Sequence, residues 1–196
     1  MSEIKVNKVS PSFGTAVQLG DSGDTFTVPS GATIVNSGTA TGFGGGKIQQ
    51  IVYNKQTGII SGTGIFPIDD TIPQISEGNS ASMDLAITPS SASNKLLIQV
   101  SIATSSSSGG GCVGALFQDS TANALACSYS YNHHTDYPIG TVAFAHDMSA
   151  GTTSLTTFKV RFGSHVGISF LNNQSAGNRA YGGTCTSSIT IFEYST

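Results

Sequence analysis

After residue 46, the chain consists largely of short stretches in which apolar and polar residues alternate. Phe158, Val160 and Phe162 fall on one face of an extended chain, with polar residues between them, and Val142 and Phe144 repeat the pattern. Alternation with period two and one apolar face is typical of antiparallel strands in packed sheets. About ten such stretches within residues 47–196 predict an all-β, jelly-roll-like β-sandwich.

Two of these stretches are apolar on both faces. In residues 95–103, Leu97 opposes Ile98 and its apolar neighbours, and in residues 187–194, Phe192 and Tyr194 oppose Ile191. A single sandwich buries only one face of each strand, so the second face needs a loop or another subunit to cover it. We favour the subunit and expect a homotrimer.

The front of the chain repeats in steps of eight residues, "VQLGDSGD", "TFTVPSGA" and "TIVNSGTA" (17–40). Each step contains Ser-Gly, which predicts a tight turn because glycine readily adopts positive φ. One or two apolar residues per step cannot offset a backbone entropy of roughly 1–2 kcal/mol per residue. We therefore predict that residues 1–46 form an extended β stalk or attachment segment completed by other chains. A flexible Gly/Ser linker is the alternative.

Composition and charge narrow the possible functions. The chain has 196 residues, of which 24 are glycine and 10% are charged, with a net charge of −3. The first twenty residues contain only Lys5 and Lys8 as basic residues, so no nucleic-acid partner is expected. No stretch approaches the ~18 apolar residues of a membrane helix or contains the apolar core of a signal peptide. We expect a soluble chain made in a cytoplasm, without membrane insertion.

Three cysteines occur, Cys112, Cys127 and Cys185. Their odd number, wide spacing and lack of a CxxC pattern argue against a disulfide framework. We expect small buried thiols.

The front "MSEIKVNKVSPSFGTAVQLGDSGDTFTVPSGATIVNSGTATGFGGGKI" resembles the amino-terminal region of bacteriophage tail-fibre and other virion structural proteins, particularly of marine phages. The stretches "GIFPIDDTIPQISEGNSASMDLAITPSSASNKLLIQVSIA" and "NRAYGGTCTSSITIFEY" resemble the head domain of phage fibre tips, which is similar in pattern to the trimeric jelly rolls of the tumour-necrosis-factor and complement-globular-head type. The resemblance covers essentially the whole chain. It implies a homotrimeric virion appendage with its last strand near the threefold axis.

The stretch "YSYNHHTDYP" (129–138) is the densest candidate contact surface. It is expected to be a loop, and it gathers the following side chains: Tyr129, Tyr131, His133, His134, Asp136 and Tyr137. Metal ligation is one interpretation, although adjacent histidines point opposite ways in an extended chain. Contact with a host glycan or protein and an unspecialised surface remain the other two. We commit to no metal and no cofactor.

Two further stretches carry candidate chemistry. Arg179 and Tyr181 lie in the Asn/Gly-rich "NNQSAGNRAYGG" (172–183), a second candidate contact surface. Asp69 and Asp70 in "PIDDTIP" suggest a turn rather than a calcium site, because the calcium-loop spacing is absent. No GxSxG, HExxH or phosphate-loop motif occurs, so we expect no enzymatic activity, with a glycan-active enzyme as the remote alternative.

The sequence leaves two structural roles open. In a fibre or spike, residues 1–46 dock to other virion proteins and the head domain contacts the host surface. In a capsid decoration protein, the trimer stabilises the phage head. Both roles place the protein in the virion.

Overall fold

The computed structural model describes residues 8–35, 37, 47–131, 139–175 and 177–195. The chain divides into two compact units, Met1–Phe43 and Gly44–Thr196. In the described part of the first unit, the chain forms turns and irregular structure without an assigned strand, and its apolar side chains are exposed. The stalk function of this unit stays a prediction.

The Ser-Gly turns predicted in the front are present at two of the three positions. Asp24 N–H donates to Asp21 O and Ala32 N–H donates to Pro29 O, both at 3.1 Å. Gly23 (φ 97°) and Gly31 (φ 86°) occupy the third position of each turn, where positive φ requires glycine. The third predicted turn, at Gly38, lies outside the described residues.

The second unit is all-β, as predicted. Its described strands and one 3₁₀ turn are, in chain order, β1 (Ile48–Gln56), β2 (Ile60–Gly62), β3 (Asn79–Ser80), β4 (Leu85–Ile87), β5 (Lys95–Ser106), β6 (Cys112–Gln118), β7 (Ala126–Ser130), β8 (Gly140–Ser149), β9 (Thr156–Ser164), β10 (Ser169–Leu171), β11 (Asn173–Ser175), β12 (Asn178–Arg179), the 3₁₀ turn (Ala180–Gly183) and β13 (Ser187–Tyr194).

These strands form two large antiparallel sheets and a small two-stranded sheet of β11 and β12. In the first, β1 pairs with β13, β13 with β5 and β5 with β8, while β10 pairs with the end of β5 and with β2. In the second, β3 and β4 pair with β9, β9 with β6 and β6 with β7. The chain therefore crosses several times between two antiparallel sheets, which confirms the predicted sandwich.

The main core lies between the two sheets, and the predicted alternation defines it. Phe158, Val160 and Phe162 of β9 are buried there, and so are Ile98 of β5 and Ile191 of β13. On β8, Val142 is buried whereas its neighbours Thr141 and Ala143 are exposed. Burial of these apolar side chains, at roughly 25 cal/mol per Å², is the dominant force that holds the two sheets together.

One expectation about a loop is partly wrong. The serine and glycine content of "SSSSGGG" (105–111) predicts a loop throughout, but Ser105 and Ser106 belong to β5 and are buried. Their hydroxyls are satisfied internally, because Ser105 Oγ donates to Asn173 O at 2.9 Å and Ser106 Oγ lies 3.1 Å from Ser164 Oγ. A buried serine is tolerated within a strand when its hydroxyl has such hydrogen-bond partners.

The loop between β2 and β3 covers the outer face of the second sheet. Phe66 packs there on Ala115 and Phe117 of β6, forming a small second core. The guanidinium of Arg161 donates to Glu77 O at 2.6 Å and to Gly78 O at 2.9 Å. We call residues 63–78 the covering loop.

No helix in the described part of the chain is long and apolar enough to cross a membrane.

Candidate functional site

A groove runs between the covering loop and strand β7 on the outer face of the second sheet. Its volume is ≈ 560 Å³. One wall carries Cys127 and Tyr129, which point outward from β7, followed by Tyr131. The opposite wall is formed by the covering loop between Phe66 and Pro73. We call this feature the tyrosine groove.

The two tyrosines are exposed for different local reasons. Tyr129 lies opposite Val113 of β6 in the sheet register, and 70% of its surface is exposed. Tyr131 follows the end of β7 and stacks on the His165 ring, with centroids 6.2 Å apart and planes 15° from parallel. A Cβ at Gly111 would lie tightly against Tyr131 Cδ2, at 3.3 Å, and in ordinary contact with His165 Nδ1, at 3.5 Å. The groove therefore presents two aromatic rings to solvent, and the Tyr131 ring is held by its stacking on His165.

His165 has a defined hydrogen-bonding role at the end of the groove. Gly111 N–H donates to His165 Nδ1 at 3.0 Å. In the neutral imidazole, an accepting Nδ1 leaves the proton on Nε2, which is then a donor.

Asp69 supplies the carboxylate of the groove. Its Oδ1 accepts hydrogen bonds from Thr71 Oγ1 at 2.5 Å and from Thr71 N–H at 2.9 Å. The side-chain hydrogen bond, followed by the backbone one, holds the pKa of Asp69 below its usual value. This local turn agrees with the interpretation of "PIDDTIP" as a turn, and the charge of Asp69 is available to the groove at neutral pH.

The covering loop is fixed at both ends of the groove wall. Phe66 N–H donates to Ser164 O at 3.1 Å, and Ala124 N–H donates to Pro73 O at 2.9 Å. A wall anchored in this way requires little ordering when a ligand binds.

The candidate contact residues do not form one site. Tyr129 and Tyr131 line the tyrosine groove, whereas Arg179 and Tyr181 line a separate depression with Ile139 and Gln174. The remaining predicted contacts lie outside the described residues; they are His133, His134, Asp136 and Tyr137. No group of three or more His, Cys, Asp or Glu side chains placed to hold a metal occurs in the part of the chain that is described.

The wall opposite the tyrosines was missed by the sequence interpretation. Phe66 and Asp69 lie about 60 residues before Tyr129, and no motif links the two segments. The usable signal was "IFPIDDTIP", in which two prolines stiffen a short apolar segment that is too broken to be a strand.

All three cysteines are free, which agrees with the expected lack of a disulfide framework. Burial raises the pKa of the Cys112 thiol, against a smaller opposing effect of Thr104. The expectation of buried thiols is wrong for Cys127, which is exposed, and Cys185 is half-buried. Cys127 is exposed because it alternates outward on β7.

A second surface lies on the outer face of the first sheet. Across β1, β13 and β5, the register aligns Ile51 with Phe192 and Leu97 in an uncharged apolar row. Ile51 is 54% exposed and its neighbour Tyr53 on the same face is 57% exposed. The two-faced pattern predicted for β5 and β13 is therefore present, and no described element of the same chain buries Ile51 or Tyr53.

Beside this row, small side chains leave a shallow depression of ≈ 450 Å³ on the same face. Its outward-facing residues come from β5, β8 and β13, and they are Gln99, Ser101, Ala143, Ala145, Ser188 and Thr190. Asp147 of β8 lies at the end of the apolar row and has two partners on the same face. Lys95 Nζ lies 3.7 Å from its Oδ2, and Tyr194 Oη donates to its Oδ1 at 2.8 Å. This hydrogen bond, with smaller contributions from burial and the charge of Asp147, raises the pKa of Tyr194. We call this whole surface the β1–β8 face.

Comparison with known proteins gives one family match. Residues 54–196 match the family described as Pgp3 C-terminal domain (Chlam_vir). No curated protein matches the chain. Among solved structures, the chain is similar to Eiger TNF from S. frugiperda (10% identity, TM-score 0.36, covering 59% of this chain and 88% of that one). It is also similar to dimeric latent PorU from Porphyromonas gingivalis (8% identity, TM-score 0.36, covering 76% of this chain but only 13% of that one).

Proposed function

The chain belongs to the Pgp3 C-terminal domain family, and from that premise we propose that it is a non-enzymatic, homotrimeric appendage protein whose sandwich contacts a target surface. The family description names no particle and no partner. Placement in a bacteriophage virion, with attachment through residues 1–46, is supported by the resemblance of the front of the chain to virion structural proteins.

One observation carries the trimer. The β1–β8 face combines the exposed Ile51 and Tyr53 with a shallow depression of small side chains. A head-to-tail interface needs exposed apolar residues on one part of a face and a complementary depression on another. Such interfaces form closed rings when the rotation between subunits closes. The apolar row across β1, β13 and β5 is uncharged, as the centre of a stable interface usually is.

Contact through the β1–β8 face leaves the opposite sheet accessible. The tyrosine groove lies on the outer face of that sheet, so each subunit of a trimer would present one groove outward. This arrangement favours a host-contacting fibre or spike over a capsid decoration protein, which has no need of an outward-facing aromatic groove.

Light scattering on the full chain tests the assembly. We expect a mass of about 60 kDa, three times that of the 20.0-kDa chain. Ile51→Asp or Tyr53→Asp should produce folded monomers, because each buries an unpaired charge at the interface. Leu155→Asp, at a 68% exposed position between β8 and β9, is the matched control and should remain trimeric. A wild-type monomer at micromolar concentration, or trimeric Ile51 and Tyr53 variants, would rule out this interface.

A further inference from the structure

We propose that the tyrosine groove binds a neutral hexose unit of a surface glycan. The inference rests on the proposed surface-contact function. It does not rest on the trimer, because the groove lies on the outer face of the second sheet and shares no residue with the β1–β8 face.

The groove has suitable apolar surfaces for a sugar ring. A pyranose has one face rich in C–H groups, whose partial positive charge is attracted to the electron-rich face of an aromatic ring. Tyr129 is 70% exposed and Tyr131 is 56% exposed, so both offer aromatic surface to the groove. The volume of ≈ 560 Å³ lies within the range of about 300–1,000 Å³ that is usual for small-molecule sites.

Polar groups around these rings match the hydroxyls of a sugar. Asp69 Oδ2 accepts no hydrogen bond from the described residues, since Thr71 binds Oδ1, and a carboxylate oxygen accepts strongly from hydroxyl groups. His165 Nε2–H is a donor, because Nδ1 accepts from Gly111. The Tyr129 hydroxyl both donates and accepts. Alternating donors and acceptors around an apolar platform fix the orientation of a ligand that carries several hydroxyls.

The charges that line the tyrosine groove favour neutral sugars over acidic sugars and nucleic acid. Among the described residues, neither Lys nor Arg lines the groove, and Asp69 adds a negative charge. Phosphate, sulfate or carboxylate groups of an acidic glycan would be repelled, and so would a nucleic-acid backbone. The groove therefore fits uncharged hexoses and N-acetylhexosamines.

Saturation-transfer NMR on the full chain tests the proposal. The probes are the methyl glycosides of glucose, galactose, mannose and N-acetylglucosamine, with the methyl glycoside of glucuronic acid as an acidic probe. We expect transfer to the ring C–H protons of at least one neutral glycoside. Tyr129→Ala should weaken its affinity about two- to tenfold by removing one aromatic surface. Tyr181→Ala, at an even more exposed tyrosine that does not line the groove, is the control and should bind as wild type does.

Cys127 gives a second measurement that does not depend on a tyrosine variant. Its exposed thiol lines the groove, whereas Cys112 is buried, so in a Cys185→Ser background iodoacetamide should react mainly at Cys127. The bound neutral glycoside should slow this reaction, and the methyl glycoside of glucuronic acid should not.

Three results would overturn the proposal: no transfer to any neutral glycoside, unchanged binding by Tyr129→Ala, or preference for the acidic probe. If the groove recognised only a protein surface, no saturation transfer to any neutral glycoside would be seen. Light scattering on the same samples separates the two proposals. A trimer that binds no glycoside refutes only the groove, and a monomer that binds one refutes only the assembly.

Discussion

Glu193 is the one charged residue that is buried among the described residues. It follows Ile189 and Ile191 on the inner face of β13 and is fully buried. Its Oε1 accepts from Ser90 N–H at 2.8 Å and from Asn94 Nδ2 at 2.5 Å, and its Oε2 accepts from Gln50 Nε2 at 2.5 Å. Burial by itself would raise the pKa of Glu193, but the hydrogen bonds from Gln50, Asn94 and Ser90 outweigh it and lower that pKa to about 2.

Glu193→Gln should lower the free energy of unfolding at pH 7 by about 2–3 kcal/mol, because the amide presents donors to donors. The folded pKa lies below the unfolded value, so the contribution of Glu193 is present above about pH 5 and is lost as pH falls towards 2. Urea unfolding between pH 7 and pH 3 should therefore show a smaller acid-induced loss in the variant than in wild type. Glu77→Gln is the matched control, because the Glu77 carboxylate accepts from Gln74 N–H in a half-buried setting. Parallel pH profiles for wild type and Glu193→Gln would contradict the assignment.

At the scale of elements, the covering loop shows where sequence patterns succeed and where they fail. Alternation located β9 and the centre of β5 correctly, because their side chains divide between core and solvent with period two. The apolar residues of "GIISGTGIF" (58–66) predict one strand, but only Ile60–Gly62 forms one. Phe66 leaves that sheet to cover the other, and a long-range packing choice of this kind has no local pattern. For the same reason, the sequence did not reveal the wall of the tyrosine groove that the covering loop forms.

Gly78→Ala tests how tightly the covering loop is packed. Gly78 has φ 61°, and a Cβ there would overlap the Phe66 ring and lie 2.9 Å from Phe162 O. We expect a loss of about 2–4 kcal/mol in unfolding free energy, from overpacking added to backbone strain. Gly151→Ala, at φ 67° with its nearest contact at 4.0 Å, isolates the strain and should cost about 1 kcal/mol. Equal losses of unfolding free energy in Gly78→Ala and Gly151→Ala would show that the covering loop accommodates the added Cβ without an energetic cost.

For the whole molecule, the division into two units predicts that the sandwich is independent of the front. Every buried apolar side chain in the described residues lies at Phe66 or beyond. A chain that begins at Lys47 should therefore melt within about 3 °C of the full chain, a shift that corresponds to less than about 1 kcal/mol. Calorimetry on both chains measures this difference, and aggregation or a clearly lower melting temperature of the shorter chain would show that the front stabilises the sandwich.

The position of β13 also affects how the protein is made. This strand is synthesised after the other described strands, yet it lies between β1 and β5 in the first sheet, where Val52 of β1 pairs with Ile191. Until residue 194 has left the ribosome, β1 and β5 both carry unpaired apolar edges, which are aggregation hazards. A premature stop between β12 and β13 would thus remove few residues but leave the first sheet without its centre. Production of the intact protein is therefore expected to depend on complete translation and on chaperones that shield these two edges in the meantime.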